Sequence, residues 1–149
     1  MNQIIQLVTA FTGSLGFAIL FNIKKDKLLA SSFGGFLVWG VYLLFVNAGV
    51  NENISLFLAT LSLTFYAELF AKIKKTPTTI FLVAGIIPLI PGGSLYHTMS
   101  YAVVGNWKLF VSTGKSTILM ACVIAIGMLI GMTCIKTVRV IKDWKENRM

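Results

Sequence analysis

The sequence predicts an all-α integral membrane protein with about five transmembrane helices, the fourth of which is broken at a Pro-Gly motif. Of 149 residues, 56% are hydrophobic and 12% are charged, and the mean hydropathy is +0.83. An ordinary soluble domain is only about 45 to 50% apolar, so a water-soluble core of this length cannot absorb so much apolar surface. We therefore expect one transmembrane domain over residues 1–149, without a separate catalytic or nucleotide-binding domain.

Apolar stretches near the roughly 20 residues that a bilayer requires recur along the chain. The first two flank a lysine cluster, and the third ends at a second cluster. The fourth is interrupted, and the fifth follows a turn at Gly105 and Asn106. The predicted spans are residues 4–23, 28–46, 54–73, 78–104 and 116–138, and a basic cytoplasmic tail follows at residues 139–149.

The interruption lies at Pro88, Pro91, Gly92 and Gly93. A proline has no N–H to donate, and the two glycines let the backbone leave helical geometry. Unpaired backbone groups cost several kcal/mol each in hydrocarbon, so such a break is tolerated where it packs in protein or lines a watery cavity. Many transporters bind their substrates at breaks of this kind.

Two consequences are expected around the break. The carbonyls of Ala84 and Ile87 lose their helical partners, and Ser94 is a natural N-cap for a second half-helix over residues 95–104. The first half, residues 78–90, reaches only about 20 Å, short of the roughly 30 Å hydrocarbon core. The same pattern also fits a simpler structure, a short helix that ends in an ordinary Pro-Gly turn at the outer membrane face.

Basic residues are distributed unevenly between the loops. Under a five-span arrangement, 11 of the 13 Lys and Arg lie on one side, and the other side has Lys108 and Lys115. The positive-inside rule then places the N-terminus outside and the C-terminus in the cytoplasm, as in a bacterial cell membrane. Topology and anionic lipids account for the net charge of +8, so no nucleic-acid partner is expected.

Few ionisable groups fall at membrane depth. Glu68 lies four residues before Lys72, a spacing that favours a surface ion pair, although a cavity-facing carboxylate is the alternative. His97 lies three residues after Ser94 and is either structural or involved in handling substrate or protons. Tyr96 could hydrogen-bond a substrate or lie in the aromatic belt.

Small residues recur at helical spacing on three of the spans and permit close helix contacts. The pattern leaves open whether those contacts are internal or between molecules. The residues are Gly13 and Gly16, then Ser31, Gly34 and Gly35, and finally Gly127 and Gly131.

The run Pro-Leu-Ile-Pro-Gly-Gly-Ser-Leu-Tyr at residues 88–96, with the small size and five hydrophobic segments, resembles the smaller half of the bacterial threonine/serine exporter family. The resemblance implies a subunit that acts with a larger membrane partner and exports threonine and serine, or a dicarboxylate such as succinate. Pro88, Pro91, Gly92 and Tyr96 match the motif.

The residues also suggest how a substrate would bind. A half-helix after the break offers free N–H groups and the positive end of its dipole to a carboxylate, so the candidate substrate-binding residues extend beyond the motif. We expect no catalytic residues, metal or cofactor, because no nucleophile and base or ligand cluster converges. The alternative is a structural or regulatory subunit without its own substrate site, and a homo-oligomer is also possible. The candidate residues are Glu68, Pro88, Pro91, Gly92, Gly93, Ser94, Tyr96 and His97.

Overall fold

Helices run through nearly all of the computed structural model, which describes residues 2–146. These residues contain no strand, and the predicted all-α class is confirmed. The helices are α1 (Gln3–Leu20), α2 (Lys25–Asn47), α3 (Glu52–Ile73), α4 (Thr79–Gly85), a 3₁₀ turn (Ile87–Leu89), α5 (Gly92–Val104) and α6 (Trp107–Glu146).

Four of these helices, α1, α2, α3 and α6, are long and apolar enough to cross a membrane. The pair α4 and α5, bent by 40°, passes the same test when taken together and then provides a fifth span. α4 and the 3₁₀ turn together rise about 15 Å, roughly half of a hydrocarbon core. The break therefore lies near the middle of the bent pair itself.

Four helices, α1, α2, α3 and α5, are each followed by a residue in the left-handed conformation. Asn22, Gly49, Lys75 and Gly105 have φ values of 55°, 79°, 48° and 78°. The residue after each one donates its N–H back to a carbonyl in the last helical turn, as in a Schellman motif. These endings make the connections short, so that sequential helices pack side by side in opposite directions.

The core lies where α2, α3 and α4 meet. Val38, Leu63 and Phe81 are fully buried there. Gly34 and Gly85 let α2 and α4 cross closely, because a Cβ on Gly34 would lie 3.6 Å from the Cα of Gly85. α1 packs on the far side of α2, and α6 packs along α3.

The small residues of α6 pack inside this chain. A Cβ on Gly127 would lie 3.1 Å from the Cβ of Thr60, and one on Gly131 would lie 2.8 Å from the Cβ of Thr64. Both glycines therefore serve the contact between α3 and α6, which run in the same direction. Gly13 and Gly16 of α1 have no such neighbour within 4 Å.

The last helix differs from the sequence prediction at its start. Residues 105–115 were expected to form a loop, but α6 begins at Trp107 because the Asn106 side chain accepts a hydrogen bond from the Leu109 N–H, at 3.3 Å. Within the predicted tail, residues 139–146 continue α6, and residues 147–149 lie outside the described part of the chain.

The second half of α5 and the first residues of α6, which pack together, extend beyond the end of α3. Since Gly127 lies beside Thr60 with the two helices parallel, the first residue of α3 is level with about residue 119 of α6. Residues 107–118 extend roughly 18 Å further. Thr98 of α5 lies opposite Thr117, so the second half of α5 projects as well.

Candidate functional site

The backbone passes through the break with most of its polar groups paired. The 3₁₀ turn supplies bonds from Leu89 N–H to Ile86 O (2.9 Å) and from Ile90 N–H to Ile87 O (3.2 Å). The Ile87 carbonyl was expected to lose its partner, and this expectation is wrong, because tightening to a 3₁₀ turn replaces the bond that Pro91 cannot donate.

α5 begins earlier than the sequence suggested. Its first residue is Gly92, Pro91 occupies the N-cap position, and Ser94 lies inside the first turn without capping the helix. The Ser94 carbonyl instead accepts a hydrogen bond from the Thr98 hydroxyl, at 2.7 Å. The N–H groups of Gly93 and Ser94 belong to the first turn, where a helix leaves such donors without intrahelical acceptors.

Gly92 and Gly93 are exposed, and no heavy atom lies within 4 Å of where a Cβ would be on either. The positive-φ glycines of the described chain are Gly49 and Gly105, so neither Gly92 nor Gly93 needs glycine for a left-handed backbone. Replacing either glycine would therefore not strain a left-handed backbone. Added bulk at these positions would enter open space.

A cavity of about 340 Å³ lies between α1, α2 and the break. Its volume is within the roughly 300 to 1,000 Å³ range of small-molecule sites. Pro88 lies in its wall, about halfway along the broken span. The full lining is Gln6, Thr9, Ala10, Gly13, Trp39, Ile87 and Pro88.

The polar groups of this cavity come from helices outside the Pro-Gly motif. The Trp39 Nε1–H donates to Gln6 Oε1 at 3.3 Å. The Thr9 hydroxyl donates to the carbonyls of Ile5 and Gln6, both at 2.9 Å. Sequence reasoning missed these residues, although Gln6, Thr9 and Gly13 recur at i, i+3 and i+7 and so share one face of the first helix.

Glu68 lies away from the break. It accepts a hydrogen bond from the Thr78 hydroxyl at 2.8 Å, at the start of α4. Glu68 and Lys72 line two neighbouring cavities of about 460 and 470 Å³, the first of which also contacts α6 at Cys134. The length of α4 separates Glu68 from Pro88, so one site of ordinary size does not include both.

Tyr96 and His97 are exposed on α5, and the His97 ring lies between two tyrosines. Its centroid is 5.6 Å from that of Tyr96 and 6.4 Å from that of Tyr101, with the Tyr101 ring at 28° to the imidazole. α5 packs chiefly against α6, so these rings are not enclosed by the helices of this chain.

A comparison with known protein families gives a match over most of the chain. The family model described as "Threonine/Serine exporter, ThrE" matches residues 6–134. The matched region contains the broken span and the cavity beside it. No solved structure matches the chain.

Proposed function

The chain belongs to the threonine/serine exporter family, and on this premise we propose that it is a transporter subunit that exports small carboxylate-bearing metabolites. Threonine and serine are the substrates that the family description names, and a dicarboxylate such as succinate is the other candidate. The observation that carries the proposal is the break between α4 and α5, which lies beside a cavity that holds polar groups.

The broken span suits an anionic substrate. In the first turn of α5, the N–H groups of Gly93 and Ser94 point toward the break, and the positive end of the helix dipole adds to them. A carboxylate is the group such a site favours. The exposed ring of His97 and the hydroxyl of Tyr96 lie within the next turn and would face a substrate that passes along α5.

The bacterial cell membrane and the orientation of the termini belong to the same proposal. Lysines at the turn from α1 to α2 and at the end of α3 share one end of the bundle with Lys136 of α6. We assign this end to the cytoplasm by the positive-inside rule, with the N-terminus outside. Reporter fusions at both termini would test the orientation, and cytoplasmic signals from both would contradict it.

A larger membrane subunit of the same family is the proposed partner, with a homo-oligomer as the alternative. The projecting part of α5 and α6 supports a partner, because Val103, Val104 and Trp107 are 88%, 77% and 66% exposed. Apolar side chains beyond the end of α3 need cover from lipid or another protein. Co-purification in mild detergent tests this, and a monodisperse monomer that transports in liposomes would contradict it.

The export activity itself is tested in cells deleted for this chain and loaded with threonine, serine or succinate. We expect reduced export of at least one of them, restored by the chain together with the larger subunit. Unchanged export of all three on deletion would contradict the proposal. If the larger subunit alone restores export, the chain is instead a structural or regulatory subunit.

A further inference from the structure

We propose that the cavity between α1, α2 and the break is a binding subsite for a zwitterionic amino acid. In this subsite, which is separate from the first-turn N–H groups of α5, the Gln6 carboxamide donates to the substrate carboxylate, and the Thr9 hydroxyl oxygen accepts from the substrate ammonium group. The inference rests on the proposed export function, and it selects an amino acid over a dicarboxylate.

Trp39 fixes the direction of the Gln6 amide. An indole N–H is only a donor, so the oxygen of the carboxamide must face Trp39 and its NH₂ group must face elsewhere. Within residues 2–146 the structure gives that NH₂ group no protein acceptor, and Gln6 lines the cavity. Two N–H donors are therefore available to a carboxylate in a space of about 340 Å³.

Thr9 supplies the opposite kind of group. Its one hydroxyl hydrogen is directed at the carbonyls of Ile5 and Gln6, which leaves the oxygen lone pairs as acceptors. Thr9 follows Gln6 by three residues, so the two Cβ atoms are about 5 to 6 Å apart on one face of α1. A donor and an acceptor on neighbouring positions of one helix face can engage the two charged groups of one α-amino acid.

The cavity carries no charged side chain among its described lining residues. A dicarboxylate there would bring two negative charges without meeting a cation, and removing unpaired charge from water is costly. A zwitterion has no net charge and brings its own cation. The lining therefore favours an amino acid.

The same helix offers a matched control. Gln3 lies one turn before Gln6, but it lines a different cavity, which it shares with Leu7, Phe36 and Asn47. A change of Gln3 alters the same residue type at the same end of α1 without touching the proposed subsite.

The test is transport of radiolabelled threonine into inverted membrane vesicles from the native host, deleted for this chain and complemented with each variant. Gln6→Glu should raise the KM for threonine at least tenfold, because a carboxylate repels the substrate carboxylate. Trp39→Phe keeps an aromatic ring but releases the amide, and should raise the KM about threefold with Vmax nearly unchanged. Gln3→Glu should stay within twofold of wild type.

Each result decides a separate point when the amount of each variant in the membrane is measured alongside. If the KM of Gln6→Glu is within twofold of wild type, the subsite is overturned and the export function still stands. If Gln6→Glu does not accumulate in the membrane, the same criterion applies to Trp39→Phe. Vesicles that transport succinate but not threonine also overturn the subsite. Wild-type vesicles that transport neither, and no serine, contradict the proposed function itself.

Discussion

The two halves of the broken span have opposite surroundings. α4 is enclosed by α1, α2 and α3, and its Phe81 and Ala84 are fully buried. α5 packs chiefly against α6, and within residues 92–104 the buried side chain is Thr98. The break thus connects α4, which is part of the core, with α5, which projects from it.

Glycines in the two halves therefore have different surroundings. A Cβ on Gly85, in α4, would lie 2.6 Å from Leu63 Cδ1 and 3.4 Å from the Gly34 carbonyl carbon. A Cβ on Gly92 or Gly93, in α5, would meet nothing within 4 Å. Glycine before the break permits packing, whereas glycine after it leaves space open.

The largest effect on folding is expected from Gly85→Val. The added side chain would overlap Leu63 between two fully packed helices, and overpacking of this kind costs about 1 to 3 kcal/mol or more. We expect the amount of monodisperse protein extracted from the membrane to fall several-fold, measured by size-exclusion chromatography.

A second variant checks the cause of that loss. Leu63→Ala removes the atom closest to the new side chain, so the double variant Gly85→Val with Leu63→Ala should accumulate better than Gly85→Val alone. If the double variant is no better, the clash with Leu63 does not explain the loss and the contrast between the two halves is weakened.

Gly93→Val should have the reverse profile. It enters open space at the start of α5, so we expect the amount of folded protein to stay near wild type. Export should fall at least tenfold, because the side chain narrows the approach to the first-turn N–H groups. The measurements are export rate and membrane abundance in the same cells.

Gly16→Val is the matched control for this variant, since it also meets nothing within 4 Å but lies on α1 outside the lining of the cavity. Normal export by folded Gly93→Val would mean that the break is a structural turn and that substrate passes elsewhere. A loss in both variants would point to a helix surface that another subunit covers.

The helical class and the position of the break were predictable from sequence, because hydropathy, proline and glycine act locally. The surroundings of each glycine were not, since Gly34 and Gly85 are 51 positions apart and meet only in the folded chain. The cavity could not be predicted for the same reason. Gln6 and Trp39 are 33 residues apart, and their hydrogen bond depends on how α1 packs on α2.

The smallest effect is expected where α5 contacts α6, at Thr98 and Thr117. Their hydroxyl oxygens are 3.4 Å apart, yet Thr98 also bonds the Ser94 carbonyl at 2.7 Å and Thr117 bonds the Thr113 carbonyl at 2.9 Å. Each hydroxyl has one hydrogen, and the shorter bonds within each helix take it.

A double-mutant cycle of Thr98→Val and Thr117→Val measures the coupling between the two helices directly. We expect each single variant to cost under about 1 kcal/mol and the coupling to be below about 0.6 kcal/mol, the average for polar contacts between membrane helices. Reversible unfolding in detergent supplies the free energies. A coupling above 1 kcal/mol would mean that the hydroxyl pair holds α5 to α6, and that the projecting half is fixed more firmly than its sparse packing indicates.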